Sequence, residues 1–170
     1  MKLRKLSTLE YLLYIGIVAL GIALDQLTKW LASTFLKQVG TFPIVSDVLH
    51  LTYHTNKGMA FGMLETHRWL FMSVSTVTII ALAVLLYSGY VRQNKLYTVS
   101  LSLIISGGIG NMIDRVFLGY VIDFIDFRLI DFAIFNGADS FVCVGAGILI
   151  LALLLDVIKE YKKPKQDGKK

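Results

Sequence analysis

The sequence contains very little cysteine, proline and charge. Of its 170 residues, one is cysteine, two are proline and 17% are charged, while 55% are hydrophobic. A single cysteine, Cys143, excludes an internal disulfide, a cysteine zinc site and a C-x-x-C redox pair. Because Cys143 lies between two valines, we expect a small buried hydrophobic residue rather than a nucleophile. The low charge and a mean hydropathy of +0.65 exclude an ordinary soluble domain and indicate a membrane protein.

Four apolar runs are long enough to cross a bilayer as helices. The second and third, Trp69 to Tyr87 and Leu96 to Ile113, hold no charged residue. We therefore predict an all-α membrane protein with four transmembrane helices, a small extracytoplasmic β element and an interfacial loop. It forms one domain over residues 1–170, with spans at about 12–31, 69–87, 96–114 and 139–157 and a basic tail at 159–170.

Basic residues predict the orientation of the chain. They concentrate at the N-terminus, in the short connection at 88–95 and in the tail, so both termini are expected on the cytoplasmic side. The connections at 36–68 and 114–139 then face outward. The net charge of +5 lies at the ends of apolar runs instead of forming a stripe among aromatic residues, so we expect no binding to nucleic acid.

Both outward connections carry structural signals. Leu49, Leu51 and Tyr53 alternate with polar residues, which is the period of a half-buried strand. The stretch from Ile122 to Phe135 is rich in aromatic residues, so we expect it to lie at the membrane interface and to be partly extended. These two segments are the predicted β element and interfacial loop.

Charged side chains at membrane depth cost several kcal/mol unless they are paired. Asp25 and Lys29 are four residues apart at the end of the first span, and we expect them to form an ion pair within one helix. Asp114 and Arg115 end the third span, and structural bracing is the expected role of both.

Asp123 and Asp139 differ from the other aspartates because each lies in an apolar setting without an adjacent cation. If the fold brings them together, both cannot ionise easily. One then keeps its proton and the other acts as a base on a shared water, an arrangement that needs no metal. Asp139 can alternatively be an N-cap of the fourth helix, and the two roles are compatible.

Other motifs predict structure rather than chemistry. His50 and His54 have the spacing of metal ligands but lack the glutamate of the H-E-x-x-H motif, so we interpret them as surface histidines. Ser102, Ser106 and Gly110 recur every fourth residue and predict a face of small side chains on which a neighbouring helix packs.

Five short motifs, in this order along the chain, resemble those of the bacterial lipoprotein signal peptidases, also called signal peptidase II. They are Asp25-Gln26-Leu27-Thr28-Lys29, Asn56-Lys57-Gly58-Met59-Ala60-Phe61-Gly62, Gly110-Asn111-Met112-Ile113-Asp114-Arg115, Val121-Ile122-Asp123-Phe124 and Phe135-Asn136-Gly137-Ala138-Asp139-Ser140. The resemblance covers essentially the whole chain. It departs from the family pattern at Lys57-Gly58-Met59 and at Gly137, and neither departure touches the aspartate pair.

The resemblance implies an intramembrane aspartyl endopeptidase of the bacterial inner membrane. Such an enzyme removes the signal peptide of a prolipoprotein immediately before its diacylglyceryl-modified cysteine, with Asp123 and Asp139 as the catalytic pair. It needs no cofactor or metal, acts as a monomer, and has a lipidated prolipoprotein and membrane lipid as partners. Residues implied in substrate binding or support of the site are Asp25, Lys29, Asn56, Gly58, Gly110, Asn111, Asp114, Arg115, Asn136 and Ala138.

Two other functions agree with aspartates in a membrane. An ion-coupled transporter would use Asp25, Asp123 and Asp139 as a relay, although the sequence shows no inverted repeat. A metal-dependent membrane transferase would bind a divalent ion through the clustered aspartates.

Overall fold

The structure is a computed structural model that describes residues 7–58, 68–88 and 94–162. Several predictions concern residues outside these ranges. They are the basic residues at 1–6, the connection at 89–93, the tail from 163 and the Met59–Gly62 part of the second motif.

Helices make up most of the described chain. They are α1 (Thr8–Leu31), α2 (Lys37–Val39), α3 (Arg68–Tyr87), α4 (Lys95–Phe117) and α5 (Gly137–Lys162). The continuous helical segment Thr8–Val39, α4 and α5 are each long and apolar enough to cross a membrane, and α3 contains a shorter apolar stretch, Met72–Tyr87. The predicted all-α membrane fold is therefore confirmed.

The helix bundle is apolar outside and polar inside. Large side chains such as Leu20, Val77 and Leu154 are exposed, whereas Ser102 and Ser106 are fully buried. A soluble domain has the opposite distribution. The exposed apolar surface identifies the part of the molecule that contacts lipid.

Small residues let α4 pack closely against α1 and α5, as predicted. A Cβ added to Gly21 of α1 would lie 2.6 Å from the Oγ of Ser106. Similarly, a Cβ on Gly145 of α5 would lie 2.8 Å from the carbonyl oxygen of Ser100. Because these glycines have no side chain, α4 lies between the other two helices at short distance.

The prediction that Cys143 is buried is wrong, since its side chain is exposed on α5. Gly145 lies two residues further on and faces α4. Two residues correspond to about 200° around a helix, so Cys143 points away from α4.

Three antiparallel strands form a sheet in the order β1 (Thr41–Val45), β2 (Leu49–Asn56) and β3 (Val121–Phe127). The predicted β element is thus present and is longer than the alternation indicated. One face of the sheet packs on a π-helical turn, Ala32–Leu36, that continues α1. This packing fixes β3, and with it Asp123, at the end of α1.

The segment after β3 returns to the sheet. A 3-10 turn, Arg128–Ile130, reverses the chain, and Phe135 then pairs with Ile125. Leu129, Ile130 and Phe132 are exposed. The segment is partly extended, as predicted, and its position at the membrane interface stays a prediction.

The prediction that His50 is a surface histidine is wrong. It is 8% exposed, lies opposite Asp126 in the sheet and has its Nδ1 atom 3.3 Å from the Oγ1 of Thr41. Alternation predicts two faces of a strand but does not show which face is covered. His54 is exposed, as predicted.

Candidate active site

Asp123 and Asp139 meet around one asparagine, Asn136. The Nδ2 of Asn136 donates a hydrogen bond to Oδ1 of Asp123 at 2.6 Å. Its backbone N–H donates to Oδ2 of Asp139 at 3.2 Å. Asn136 is fully buried, so both carboxylates contact the same rigid residue. The pair lies 16 residues apart in sequence and on different elements, β3 and α5.

The start of α5 positions Asp139. The Oδ1 of Asn136 accepts a hydrogen bond from the backbone N–H of Asp139 at 3.0 Å, and the carboxylate of Asp139 returns a contact to the backbone N–H of Asn136. This is the reciprocal arrangement of a capping box. Asp139 is therefore the third residue of the helix, and the alternative that it is the N-cap is wrong because Asn136 has that role.

A chain of directed hydrogen bonds leads from Lys29 to Asp139. The ammonium group of Lys29 donates to Oδ1 of Asn111 at 2.9 Å, and Nδ2 of Asn111 donates to Oδ1 of Asp139 at 2.7 Å. Because an ammonium group only donates, Asn111 must turn its oxygen to Lys29 and its amide nitrogen to Asp139. Lys29 thereby fixes the orientation of a hydrogen-bond donor to the candidate dyad.

Lys29 is 2% exposed and forms ion pairs with two aspartates. Its Nζ lies 2.8 Å from Oδ2 of Asp25 and 3.1 Å from Oδ2 of Asp114. The predicted pair of Asp25 with Lys29 is confirmed, and Asp114 is a second partner that sequence spacing did not show. An ion pair at this depth is stable only when its remaining polar atoms are also bonded.

Asp25 and Asp114 also hold backbone groups near the site. Oδ1 of Asp25 accepts from the backbone N–H of Ala138 at 2.8 Å. Oδ2 of Asp114 accepts from the backbone N–H of Ile122 at 3.1 Å. Ala138 precedes Asp139 and Ile122 precedes Asp123, so each carboxylate fixes the residue next to a candidate catalytic aspartate.

Asn56 contacts the other side of Asp123. Its Nδ2 donates to Oδ2 of Asp123 at 3.1 Å, and its Oδ1 accepts from the backbone N–H of Gly58 at 3.1 Å. The turn after β2 therefore orients the amide of Asn56 with its nitrogen toward the carboxylate.

The surroundings of Asp123 favour its protonated form. Burial raises the pKa of Asp123 to about 6, and the negative charge of Asp139 acts in the same direction. The hydrogen bonds from Asn56 and Asn136 and the charge of His54 lower it by less. Arg115 of α4 interacts electrostatically with both Asp123 and Asp139 and donates to the backbone oxygen of Asn111 at 3.1 Å. Asp123 is thus the carboxyl of the dyad that keeps its proton to a higher pH than an ordinary aspartate does.

Two carboxylates that contact the same buried residue are arranged so that one can act as acid and the other as base. The sequence matches the family model described as signal peptidase (SPase) II over residues 17–155. The chain belongs to the signal peptidase II family.

Relatives named lipoprotein signal peptidase are similar over most of their length. The protein of Caldanaerobacter subterraneus is 48% identical over 136 residues, which cover 79% of this chain and 91% of that one. The protein of Brevibacillus brevis is 42% identical over 143 residues, with 84% and 95% covered. Signal peptidase II is a family of aspartic peptidases, and this member is an enzyme of that class.

Two solved bacterial membrane enzymes share the fold. One, determined by the in meso method at 2.3 Å resolution, has a TM-score of 0.80 at 35% identity and covers 92% of this chain and 94% of its own. Another, determined at 1.9 Å, has a TM-score of 0.75 at 34% identity, with 91% and 98% covered. The chain is a multi-pass membrane protein of this type.

Among the residues that it describes, the structure of this signal peptidase II brings together the candidate site residues that the sequence motifs singled out. Gly110 is one of these residues: it lies against Asp25, and a Cβ at this position would overlap Oδ2 of Asp25. One polar residue was missed: Gln26 donates to Gly110 and to Asp114 at 3.2 and 3.0 Å. Its place beside Asp25 in the first motif was the available signal.

Nothing in the fold or the comparisons favours the transporter or metal-dependent transferase alternatives. Within residues 7–58, 68–88 and 94–162, no three side chains of the metal-binding types converge. Asp25 and Asp114 instead share the ammonium group of Lys29.

Proposed function

We propose that this signal peptidase II is an intramembrane aspartyl endopeptidase in which Asp123 and Asp139 activate a water molecule. Its substrates are diacylglyceryl-modified prolipoproteins, cleaved immediately before the lipidated cysteine. One observation carries the proposal. Two carboxylates on different elements, β3 and α5, contact the same buried asparagine, Asn136, and the pKa of Asp123 is raised to about 6.

The raised pKa assigns the two roles. Asp123 carries the shared proton and is the acid, and Asp139, in the first turn of α5, is the base. Asp139 takes a proton from the water as its oxygen attacks the scissile carbonyl carbon. Asp123 gives its proton to the leaving amine nitrogen as the C–N bond breaks. The pair gains one proton and loses one in each turnover.

Asn136, Asn111 and Arg115 hold the pair in position. The two amides donate to the carboxylates from fixed directions, so neither carboxylate needs to reorient during the reaction. Arg115 supplies positive charge beside the one carboxylate that is ionised before and after the reaction.

Two apolar grooves, one of them beside the site, suit the lipid part of the substrate. A groove of about 330 Å³ at the end of α1 is lined by Leu31, Phe35, Leu51 and Phe124, among others. Phe124 directly follows Asp123. Another groove, of about 260 Å³, lies between α3 and α4. The substrate enters sideways from the bilayer, its acyl chains rest in such grooves, and its signal helix unwinds beside the dyad.

The topology follows from the charges. All four helices α1, α3, α4 and α5 cross the bacterial cytoplasmic membrane at about the predicted spans, with both termini inside, because basic residues concentrate at those ends. The sheet and the dyad then lie near the extracytoplasmic face. The enzyme works as a monomer on its lipidated substrate and binds no nucleic acid.

Replacing each aspartate by asparagine tests the proposal. Asp123→Asn and Asp139→Asn should both remain folded in detergent and lose cleavage of a lipidated precursor by about 10³-fold or more, since the acid or the base is gone. Asp131→Asn is a matched control: this exposed aspartate has a φ of 49°, which asparagine also adopts, so cleavage should be unchanged. If both dyad variants cleave at rates within about tenfold of the parent, the mechanism is wrong.

A further inference from the structure

His54 lies directly opposite Asp123 in the antiparallel pair of β2 and β3. Residues opposite each other in such a pair place their Cβ atoms about 5 Å apart on the same face of the sheet. The two differ sharply in exposure: Asp123 is 1% exposed, whereas His54 is exposed. The candidate dyad therefore has an ionisable side chain on its solvent side.

The groups that face Asp123 come from three elements. Asp139 of α5 is negative, Arg115 of α4 is positive, and His54 of β2 is neutral or positive. Of these, only histidine ordinarily changes its charge between pH 5 and 8. Asp139 and Arg115 are half-buried within the bundle, while the side chain of His54 is exposed.

We propose that His54 is a positioning residue that acts on the reaction through Asp123. When His54 is charged, it favours the ionised form of Asp123 and so narrows the pH range in which Asp123 carries the proton of the acid. This inference rests on the proposed function of the pair. It assigns His54 no contact with substrate and no proton transfer of its own.

The expected effect is moderate because His54 faces water. A unit charge about 6 Å away in a medium like water changes a pKa by roughly half a unit. The active form of the dyad carries one proton, and the alkaline limb of its pH profile marks the loss of that proton from Asp123. A positive charge at position 54 should move this limb to lower pH, and removing the charge should move it to higher pH.

Two variants separate charge from shape. His54→Lys carries a permanent positive charge, and His54→Gln carries none. In the kcat/KM profile for a lipidated precursor, the alkaline limb of His54→Lys should lie roughly half a pH unit below that of His54→Gln. The difference in pH between the two alkaline limbs should shrink as ionic strength rises from about 0.01 M to 1 M, because salt screens exposed charges. Lys37→Gln, which removes an exposed cation on α2, should leave the limb unchanged.

The possible results are distinct. Coincident limbs for the lysine and glutamine variants overturn the inference, as does a separation that salt does not reduce. Equal losses of kcat/KM at every pH in both variants also overturn it, since they indicate a steric role for His54. None of these results bears on the dyad itself, which the Asp123→Asn and Asp139→Asn variants test separately.

Discussion

Gly107 of α4 offers a sharp test of how closely the helices must pack to keep Asp139 in place. A Cβ at this position would overlap the backbone oxygen of Ala138 and lie 2.8 Å from Cγ2 of Val142. Ala138 is also held from the other side, by the carboxylate of Asp25. A displacement of the first turn of α5 would therefore also disturb the hydrogen bond between Ala138 and Asp25.

Gly107→Ala should displace the backbone at Ala138 by roughly 1 Å, since an ordinary carbon–oxygen contact is longer than the space available. A misplacement of that size in a catalytic group can cost about 10²-fold in rate. The stability change should be small by comparison. Overpacking costs about 1–3 kcal/mol, while replacing glycine by alanine in a helix recovers up to about 1 kcal/mol.

The assay is single-turnover cleavage of a lipidated precursor, measured beside the thermal unfolding midpoint of the same detergent-solubilised sample. Gly147→Ala on α5 is the matched control, because its added Cβ meets nothing within 4 Å, so the rate should be unchanged. A Gly107→Ala enzyme that cleaves within about threefold of the parent would refute the reasoning that helix spacing fixes Asp139.

Three other predictions follow from the site. Lys29→Met leaves two buried aspartates without their cation and should cost about 3–5 kcal/mol of unfolding free energy. Adding Asp114→Asn should recover part of that loss in a denaturation assay. No recovery would argue against the sharing of Lys29 by Asp25 and Asp114. Asn136→Ala removes a donor to a carboxylate, worth about 1.5–3 kcal/mol, so kcat should fall about 10- to 100-fold with the helices intact; a change confined to KM would contradict its role. Because the pKa of Asp123 is raised to about 6, kcat/KM should fall as pH rises through that value. The fall in kcat should come at a higher pH, because bound substrate excludes water and raises the pKa of Asp123 further. Profiles of kcat/KM and kcat that both lack an alkaline limb would contradict the assignment of Asp123 as the acid.

The sequence predicted the helices well because lipid imposes a simple rule of length and polarity. Trp69 to Tyr87 has no charge and becomes α3, and Leu96 to Ile113 lies within α4. The same rule cannot show which side of a helix faces lipid, because the length and mean polarity of a span carry no direction around the helix. For that reason, the sequence did not predict that Cys143 is exposed.

The site was only partly predictable for a different reason. Its aspartates could be selected one by one from their apolar settings, but their meeting depends on β3, the turn after it and the return of Phe135 to Ile125. Backbone donors, such as the N–H groups of Asn136 and Ala138, have no signature in the sequence at all. The second partner of Lys29 likewise requires the packing of α4 on α1.

The most direct test of the aspartate mechanism is the rate of single-turnover cleavage by the double variant Asp123→Asn/Asp139→Asn, compared with each single variant on the same lipidated precursor. Residues that act as one unit give losses that do not add. The account predicts that the double variant is no slower than the slower single variant. Losses that multiply, each residue contributing its full factor in the absence of the other, would contradict it.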